Sequence, residues 1–505
     1  MIQEFKTTVQ LAIADFLIGK GIQTPVVLLE RAAESQFGEF STNVAMRYAK
    51  ELKQSPMDIA KELTEYLQAQ DLQHVEKVDC VAPGFVNLYL TQAAFVSQIS
   101  TILRADKKFG SNTLLAGEKW VIEHTSPNPN KAMHLGHLRN NLIGMGLVRL
   151  LKVAGAEVVS DCIYNDRGIA IAKVMYGFLV HMRKNATTPA NIEHFAAHPE
   201  DWYTPAELEL KPEVFIAQCY VQGEDDFKKS IEAEQITRQM VVDWEAKDER
   251  VWQLWRHVLS YAYAGNERIL SRLGSYWDKI WYEHEHYETG KEYVQKGLEK
   301  GVFQRLEDGA VLTDLEVDYQ LSDTVLLKKD GTSLYITQDL ALTDLKKKTY
   351  EADKLVWVVG PEQSLSFKQL FAACEQLGIG QVSDFTHIAY GYVGLKGEDG
   401  TFQKMSSRAG TVVLIDDVID GVKATIEERF SESEKTPEPG VAETLALGAV
   451  KFAFLKSDSK QDITFDVEQS IFSKESQKNN HVFVAGLARS GTTVLLNAIY
   501  KSDDF

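Results

Sequence analysis

Lys119-Trp120-Val121-Ile122-Glu123, Ser126-Pro127-Asn128-Pro129-Asn130, His134-Leu135-Gly136-His137 and Val158-Val159-Ser160-Asp161-Cys162-Ile163 follow one another between residues 119 and 163, and they decide the fold. The first is a short apolar run, the pattern of a buried strand. A Pro/Asn loop comes next, and helical periodicity then runs from His134 to about Leu151. After Gly155-Ala156-Glu157 a second apolar run reads as another strand. Strand, helix and strand over so short a span form a βαβ unit, which predicts a parallel sheet of an α/β domain.

Outward from this core, strand signals return at Leu355-Val356-Trp357-Val358-Val359-Gly360, where the same sheet is expected to resume. The stretch from about 175 to 275 is helix-rich, carries Trp202, Trp244, Trp252 and Trp255, and reads as an insertion. One α/β domain is therefore expected over 114–410, and from 411 to 475 the pattern turns helical again. Residues 1–113 read as a separate α+β unit. There Ser55-Pro56 opens a helix to about Gln70, Val78-Asp79-Cys80-Val81 and Phe85 to Leu90 are strands, and Pro83-Gly84 is a turn.

Composition narrows the class. The chain has 505 residues, 44% of them hydrophobic and 25% charged, an ordinary globular balance that excludes a disordered or fibrous protein. With 54 basic and 72 acidic side chains the net charge is −18, which argues against unspecific wrapping of nucleic acid but leaves room for a local basic groove. Cys80, Cys162, Cys219 and Cys374 lie far apart, so neither a disulfide framework nor a zinc site is expected. The start, MIQEFKTTVQ, is not a signal peptide, and no run reaches the length of a membrane helix. A soluble, cytoplasmic protein is expected.

His134-Leu135-Gly136-His137 sits where a strand loop becomes a helix, a place with free N–H groups and a positive dipole end that attract phosphate. Gly136 removes a side chain where a nucleotide must approach the backbone, and the two histidines can donate to phosphates. A metal pair or two surface histidines would fit the tetrapeptide as well.

The longer run from Ser126 to Asn140 resembles the HIGH region of class I aminoacyl-tRNA synthetases, and its S-P-N start and L-R-N tail resemble arginyl-tRNA synthetases in particular. Lys404-Met405-Ser406-Ser407-Arg408 matches the second signature, the KMSKS loop. Gly38-Glu39-Phe40-Ser41-Thr42-Asn43 and Gly84-Phe85-Val86-Asn87 are similar to the family's appended N-terminal domain, and Tyr164-Asn165-Asp166-Arg167-Gly168, Tyr335-Ile336-Thr337-Gln338-Asp339 and Ile463-Thr464-Phe465-Asp466 to further family segments.

The resemblance implies a Rossmann-type catalytic domain and an arginine–tRNA ligase. Such an enzyme couples the arginine carboxylate to the α-phosphate of ATP, releases pyrophosphate, and passes the acyl group to a ribose hydroxyl at the tRNA 3′ end. It implies His134, His137, Lys131 and Lys404 as catalytic residues offsetting phosphate charge, with Gly136, Met405 and Ser406 also at ATP. Ser407 stands where the signature's second lysine would be, and Lys131 is placed to supply that charge. Glu123, Ser126 and Asn128 would hold the α-amino end of arginine, Tyr335 and Asp339 the guanidinium, and Gln363 a further polar contact. Phe40 and Asn43 would meet the outer corner of tRNA(Arg). Magnesium would bridge ATP phosphates without a protein cage, no metal site of the protein's own is expected, and the chain is expected to be a monomer. Activation in this family usually needs bound tRNA.

Beyond Asp466 the pattern departs from the family. Val482 to Leu496 reads as a strand, a loop of G-x-x-x-x-G spacing and a helix start, with Thr492 where a Walker lysine would stand. It resembles the start of a sulfotransferase, so residues 476–505 are expected to be an unrelated fragment and the anticodon-binding domain to be absent. Two alternatives are a weak or inactive relative that binds ATP and arginine without efficient charging, and a nucleotidyltransferase of the same fold. On this reading anticodon changes should matter little, and deletion of residues 478–505 should change nothing.

Overall fold

The computed structural model describes residues 2–32, 34–396, 402–404, 413–432 and 438–465. Lys404 is described in its backbone alone, while Met405, Ser406, Ser407, Arg408, Asp466 and the fragment over 476–505 lie outside the described residues. A first unit ends at Gly110 and a second begins at Ser111.

The first unit comprises α1 (Ile2–Gly19), β1 (Glu30–Arg31), β2 (Phe40–Thr42), α2 (Val44–Leu52), α3 (Pro56–Gln68), β3 (Val75–Val81), β4 (Phe85–Leu90) and α4 (Gln92–Ala105). Its strands form an antiparallel sheet in the order β1-β2-β4-β3. Helix α3 starts where Ser55 Oγ accepts from the Asp58 amide at 3.2 Å and Pro56 fills the first helical position, which needs no N–H. Ile59, Leu63 and Leu67, one turn apart, bury its inner face. At Gly38 (φ +82°) a Cβ would lie 2.4 Å from the Leu88 carbonyl oxygen, so glycine alone lets the chain run this close to β4.

The second unit opens with β5 (Lys119–Glu123), α5 (Leu135–Val153) and β6 (Glu157–Tyr164). A helical region follows: α6 (Ile169–His181), α7 (Ile192–Ala197), α8 (Pro212–Lys229), α9 (Ile231–Glu245) and α10 (Glu249–Leu273). Next come β7 (Lys279–Tyr282), α11 (Glu283–His286), α12 (Gly290–Lys300), β8 (Phe303–Arg305), β9 (Val311–Thr313), α13 (Glu316–Tyr319) and β10 (Val325–Leu327). The chain then forms α14 (Tyr335–Tyr350), β11 (Lys354–Val359), α15 (Ser364–Leu377), β12 (Phe385–Ala389), β13 (Val393–Lys396), β14 (Phe402–Lys404), α16 (Ile415–Glu432), α17 (Val441–Leu455) and β15 (Ile463–Phe465).

The main sheet runs β12-β11-β5-β6-β7 with every neighbouring pair parallel. From β5 the chain builds outward to β6 and β7, then returns to place β11 against the other side of β5. Such a reversal opens a crevice beyond the carboxyl ends of the two central strands, here β5 and β11. Among the short strands that escape the sequence patterns are β7 at one sheet edge and β15, which pairs parallel with β13 where a helical continuation is expected. Four and three residues are too few to show a period of two.

The helical region has its own core, with Phe195 and Phe215 edge-on to Phe178 and Trp202 stacked on it. Helices α6 and α8 cross at Gly177 and Gly223. A Cβ on the first would fall 2.0 Å from the Cys219 carbonyl oxygen, and one on the second 2.0 Å from that of Lys173. Among the described residues no helix is long and apolar enough to cross a membrane.

Candidate active site

The tight turn leaving β5 shapes the first wall of the crevice. Thr125 (φ +71°) and Ser126 (φ +31°) both sit in the left-handed region, costly for a β-branched threonine. Their surroundings hold them there. The Thr125 amide donates to Asn140 Oδ1 at 2.7 Å, Asn141 Nδ2 to Thr125 Oγ1 at 3.1 Å, and Ser126 Oγ to Glu123 Oε1 at 3.1 Å. Asn140 also donates to the Val358 carbonyl at 2.7 Å, so one side chain of α5 ties the ends of β5 and β11 together. Beneath the turn, His124 is fully buried between Thr125 and Ser160, and burial lowers its pKa to about 3.

His134 is the N-cap residue of α5, and its ring lies 4.1 Å from that of His137. Its Nδ1 accepts from the Gly136 amide at 3.1 Å, while His137 Nδ1 accepts from the His134 amide at 3.2 Å. Two helix-end donors are thereby satisfied reciprocally. Burial, with Lys131 adding to it, lowers the His134 pKa to about 4; burial, His134 and Lys131 hold His137 well below its ordinary value. A neutral imidazole that accepts at Nδ1 carries its proton on Nε2. The start of α5 therefore presents two Nε2–H donors at the positive end of a helix dipole. A Cβ on Gly136 would lie 2.9 Å from His134 Cε1, so glycine is required for this arrangement.

Main-chain bonds join this helix start to the entry of α16. Leu135 N donates to the Val413 carbonyl and Ile415 N to that of Met133, each at 3.3 Å, about the His134–Leu414 bridge. One residue on, the Asp416 carboxylate receives Lys211 at 2.8 Å and Arg272 at 2.7 Å, with Arg268 beside them. Burial would raise its pKa, but these three cations hold it at about 2.

The crevice deepens into a cavity of about 650 Å³ whose wall includes Glu123, Ser126, Asn128, Tyr335, Asp339 and Gln363. All six residues named from sequence for arginine thus line one space. Glu123 is buried at the end of β5, Asn128 and Gln363 are exposed at the rim, and Tyr335 stands 74% exposed at the mouth. Tyr335 and Asp339 occupy the first turns of α14, on one face as their spacing requires. Burial, reinforced by the charge of Glu123 and then by Glu283, raises the Asp339 pKa to about 7, although Lys346 opposes it. Glu283, itself buried at the start of α11, is likewise raised to about 7, with burial as the main cause.

Phe40, named from sequence for tRNA, is a core residue of the first unit and only 8% exposed. Its ring packs against Phe5, so it offers no surface platform for a base. Asn43 is half-buried at the start of α2.

Sequence reasoning missed Lys346 and Asp161. Lys346 heads a run of three lysines that reads as a solvated face, yet its Nζ is buried 2.7 Å from Glu123 and 2.8 Å from Asp161. One signal existed: Asp161 is a charge inside an apolar strand, which requires a buried partner. Among the described residues no group of three or more His, Cys, Asp or Glu side chains could hold a metal ion.

Residues 98–467 match the family model for the catalytic domain of class I tRNA synthetases (R), and residues 3–90 that for the arginyl tRNA synthetase N-terminal domain. The chain is 32% identical over 483 residues to the arginine–tRNA ligase of Treponema denticola, covering 93% of this chain and 78% of that one. It is 34% identical over 486 residues to that of Phocaeicola vulgatus, with the same coverage. In fold it matches the Thermus thermophilus arginyl-tRNA synthetase, with a TM-score of 0.62 at 22% identity over 92% of this chain and 78% of that one. The Plasmodium falciparum arginyl-tRNA synthetase gives a TM-score of 0.60 at 14% identity, over 92% and 76%. By sequence over nearly its whole length, and by the crevice its strands open at Glu123, the chain belongs to the arginyl-tRNA synthetases of class I.

Proposed function

We propose that, within its family's arginine–tRNA ligase reaction, the cavity beyond β5 and β11 takes L-arginine and the start of α5 takes the ATP phosphates. The observation that carries this reading is the convergence on one cavity of six polar residues from three separate stretches of chain. Asp339 pairs with the guanidinium and Tyr335 covers it, since a planar cation needs a carboxylate and an aromatic or polar face. Glu123, with Ser126 and Asn128, receives the α-ammonium, and Gln363 adds a contact at the rim.

The arginine carboxylate oxygen then attacks the α-phosphorus, a P–O bond breaks, and pyrophosphate leaves with the electron pair. In the second step the terminal ribose hydroxyl attacks the acyl carbon and AMP departs. No protein nucleophile is needed; catalysis is positioning and charge stabilisation. The Nε2–H groups of His134 and His137, with Lys131 and Lys404, offset the charge growing on the phosphates. Magnesium would enter with ATP as part of that substrate and would supply further positive charge against the phosphates. The first unit meets the tRNA corner through Asn43 and its neighbours, without Phe40.

Pyrophosphate exchange into ATP, with and without arginine tRNA, tests the reading. Exchange driven by arginine and promoted by tRNA is expected. Exchange driven equally by citrulline, or AMP transfer to another acceptor, would refute it.

A further inference from the structure

Glu123 and Asp161 are register partners on the adjacent parallel strands β5 and β6, and both are buried. Two carboxylates so placed repel strongly, because little solvent separates them. Lys346 reaches in from α14 and bridges them, at 2.7 Å from Glu123 Oε2 and 2.8 Å from Asp161 Oδ2, and is 1% exposed. On the far side Trp281 Nε1 donates to Asp161 Oδ2 at 2.7 Å, while Asp161 Oδ1 has no protein partner. The remaining oxygen of Glu123 accepts from Ser126 Oγ at 3.1 Å. The carboxylate on the cavity wall is thus held at both oxygens.

Charge makes the arrangement more pointed. A lysine in the wall of an arginine site would oppose a substrate that carries an ammonium and a guanidinium. Here it is bracketed by two carboxylates, Glu123 and Asp161, and the wall keeps one carboxylate for each cationic end of arginine, Glu123 for the ammonium and Asp339 for the guanidinium.

We propose that Lys346 is a positioning residue for arginine, holding Glu123 aimed at the substrate ammonium, and that Asp161 anchors Lys346 from the side remote from the cavity. The proposal rests on the placement of the arginine amino end at Glu123.

The test is steady-state aminoacylation by the full chain, with KM for arginine and for ATP measured separately. Without Lys346 the two carboxylates must share a proton or turn apart. Lys346→Met should raise the arginine KM on the order of a hundredfold, as expected when one partner of a buried pair is lost, with the ATP KM within about twofold of the parent. Lys346→Arg, and the double variant Lys346→Met with Asp161→Asn, should each recover about tenfold or more of that loss, because each removes the facing-anion conflict.

An arginine KM unchanged in Lys346→Met, or both KM values rising together, would overturn the inference. If the single variant does not fold, the double variant decides: an arginine KM no better than that of Glu123→Gln refutes the role. Glu123→Gln also separates the two levels. No effect there refutes the placement of the amino group, whereas a raised KM there beside a normal Lys346→Met refutes only the role of Lys346.

Discussion

Without arginine bound, Asp339 ionises at about 7, because burial and the facing Glu123 keep its proton on. The guanidinium of arginine binds the ionised form, so affinity should rise with pH and level off above neutrality. The apparent dissociation constant carries the factor 1 + 10^(pKa − pH), about 11 at pH 6, about 2 at pH 7 and about 1.1 at pH 8. Asp339→Asn keeps the shape and removes both the charge and the titration. Loss of a desolvated charge pair costs on the order of 2–5 kcal/mol, or about 30-fold to a few thousandfold in affinity. Calorimetric titration of arginine and of citrulline, with tRNA present, at pH 6, 7 and 8 gives both quantities. The variant should lose the pH slope and most of its preference for arginine over citrulline. A variant that keeps either would show that Asp339 does not select the substrate.

The same substitution has a second, opposite effect. Between about pH 4 and pH 7 the folded state holds a proton on Asp339 that the unfolded chain has released, so stability falls as pH rises through that window. Above it the ionised group costs the protein without arginine on the order of 1–4 kcal/mol. Asp339→Asn should therefore melt higher than the parent at pH 8 and the same near pH 4.

His137→Asn and Lys404→Ala should each lower the activation rate by about 10²–10³, the range for losing one donor to a charged transition state, while arginine affinity measured by titration stays within a few-fold. Equal losses in rate and affinity would refute the assignment of these groups to the phosphates. His124 stays neutral in the fold down to about pH 3 but takes up a proton near 6.5 when unfolded, so its contribution to stability falls as pH drops below about 6.5. His124→Gln should flatten the acid limb of denaturant stability between pH 6 and pH 5 by about 1 kcal/mol. Gly144→Ala should lower the melting temperature, since its Cβ would come 2.3 Å from that of His124, an overpacking of about 1–3 kcal/mol or more.

The βαβ core was legible because its elements are long enough to show a period and are closed by Gly and Pro loops. Strand β5 begins and ends where its apolar run does, and α5 extends two residues past the expected Leu151. The cavity was legible only through family resemblance, since nothing in the spacing of residues 123, 335 and 363 brings them together. Lys346 stayed hidden because one buried lysine and two outward ones look alike in sequence. Phe40 erred the other way. A motif carries residue identity but not orientation, and at position 40 the ring packs inward. The two histidines carry a structural task that no motif displays, because each caps the helix that presents it.

The meeting of α6 and α8 at Gly177 and Gly223 constrains how this chain can diverge. Where two large side chains collide in a core, a later trim of one repairs a gain in the other. Here both partners are already the smallest residue, and the obstacle to a methyl group on either is a main-chain carbonyl, which no substitution can shorten. A mutation at one position has no local suppressor at the other. Rescue must come from moving a whole helix, and α6 leads directly out of the segment that carries Asp166 and the end of β6. Relatives that keep this crossing should keep both glycines, and a lineage that loses either should show the helical region repacked.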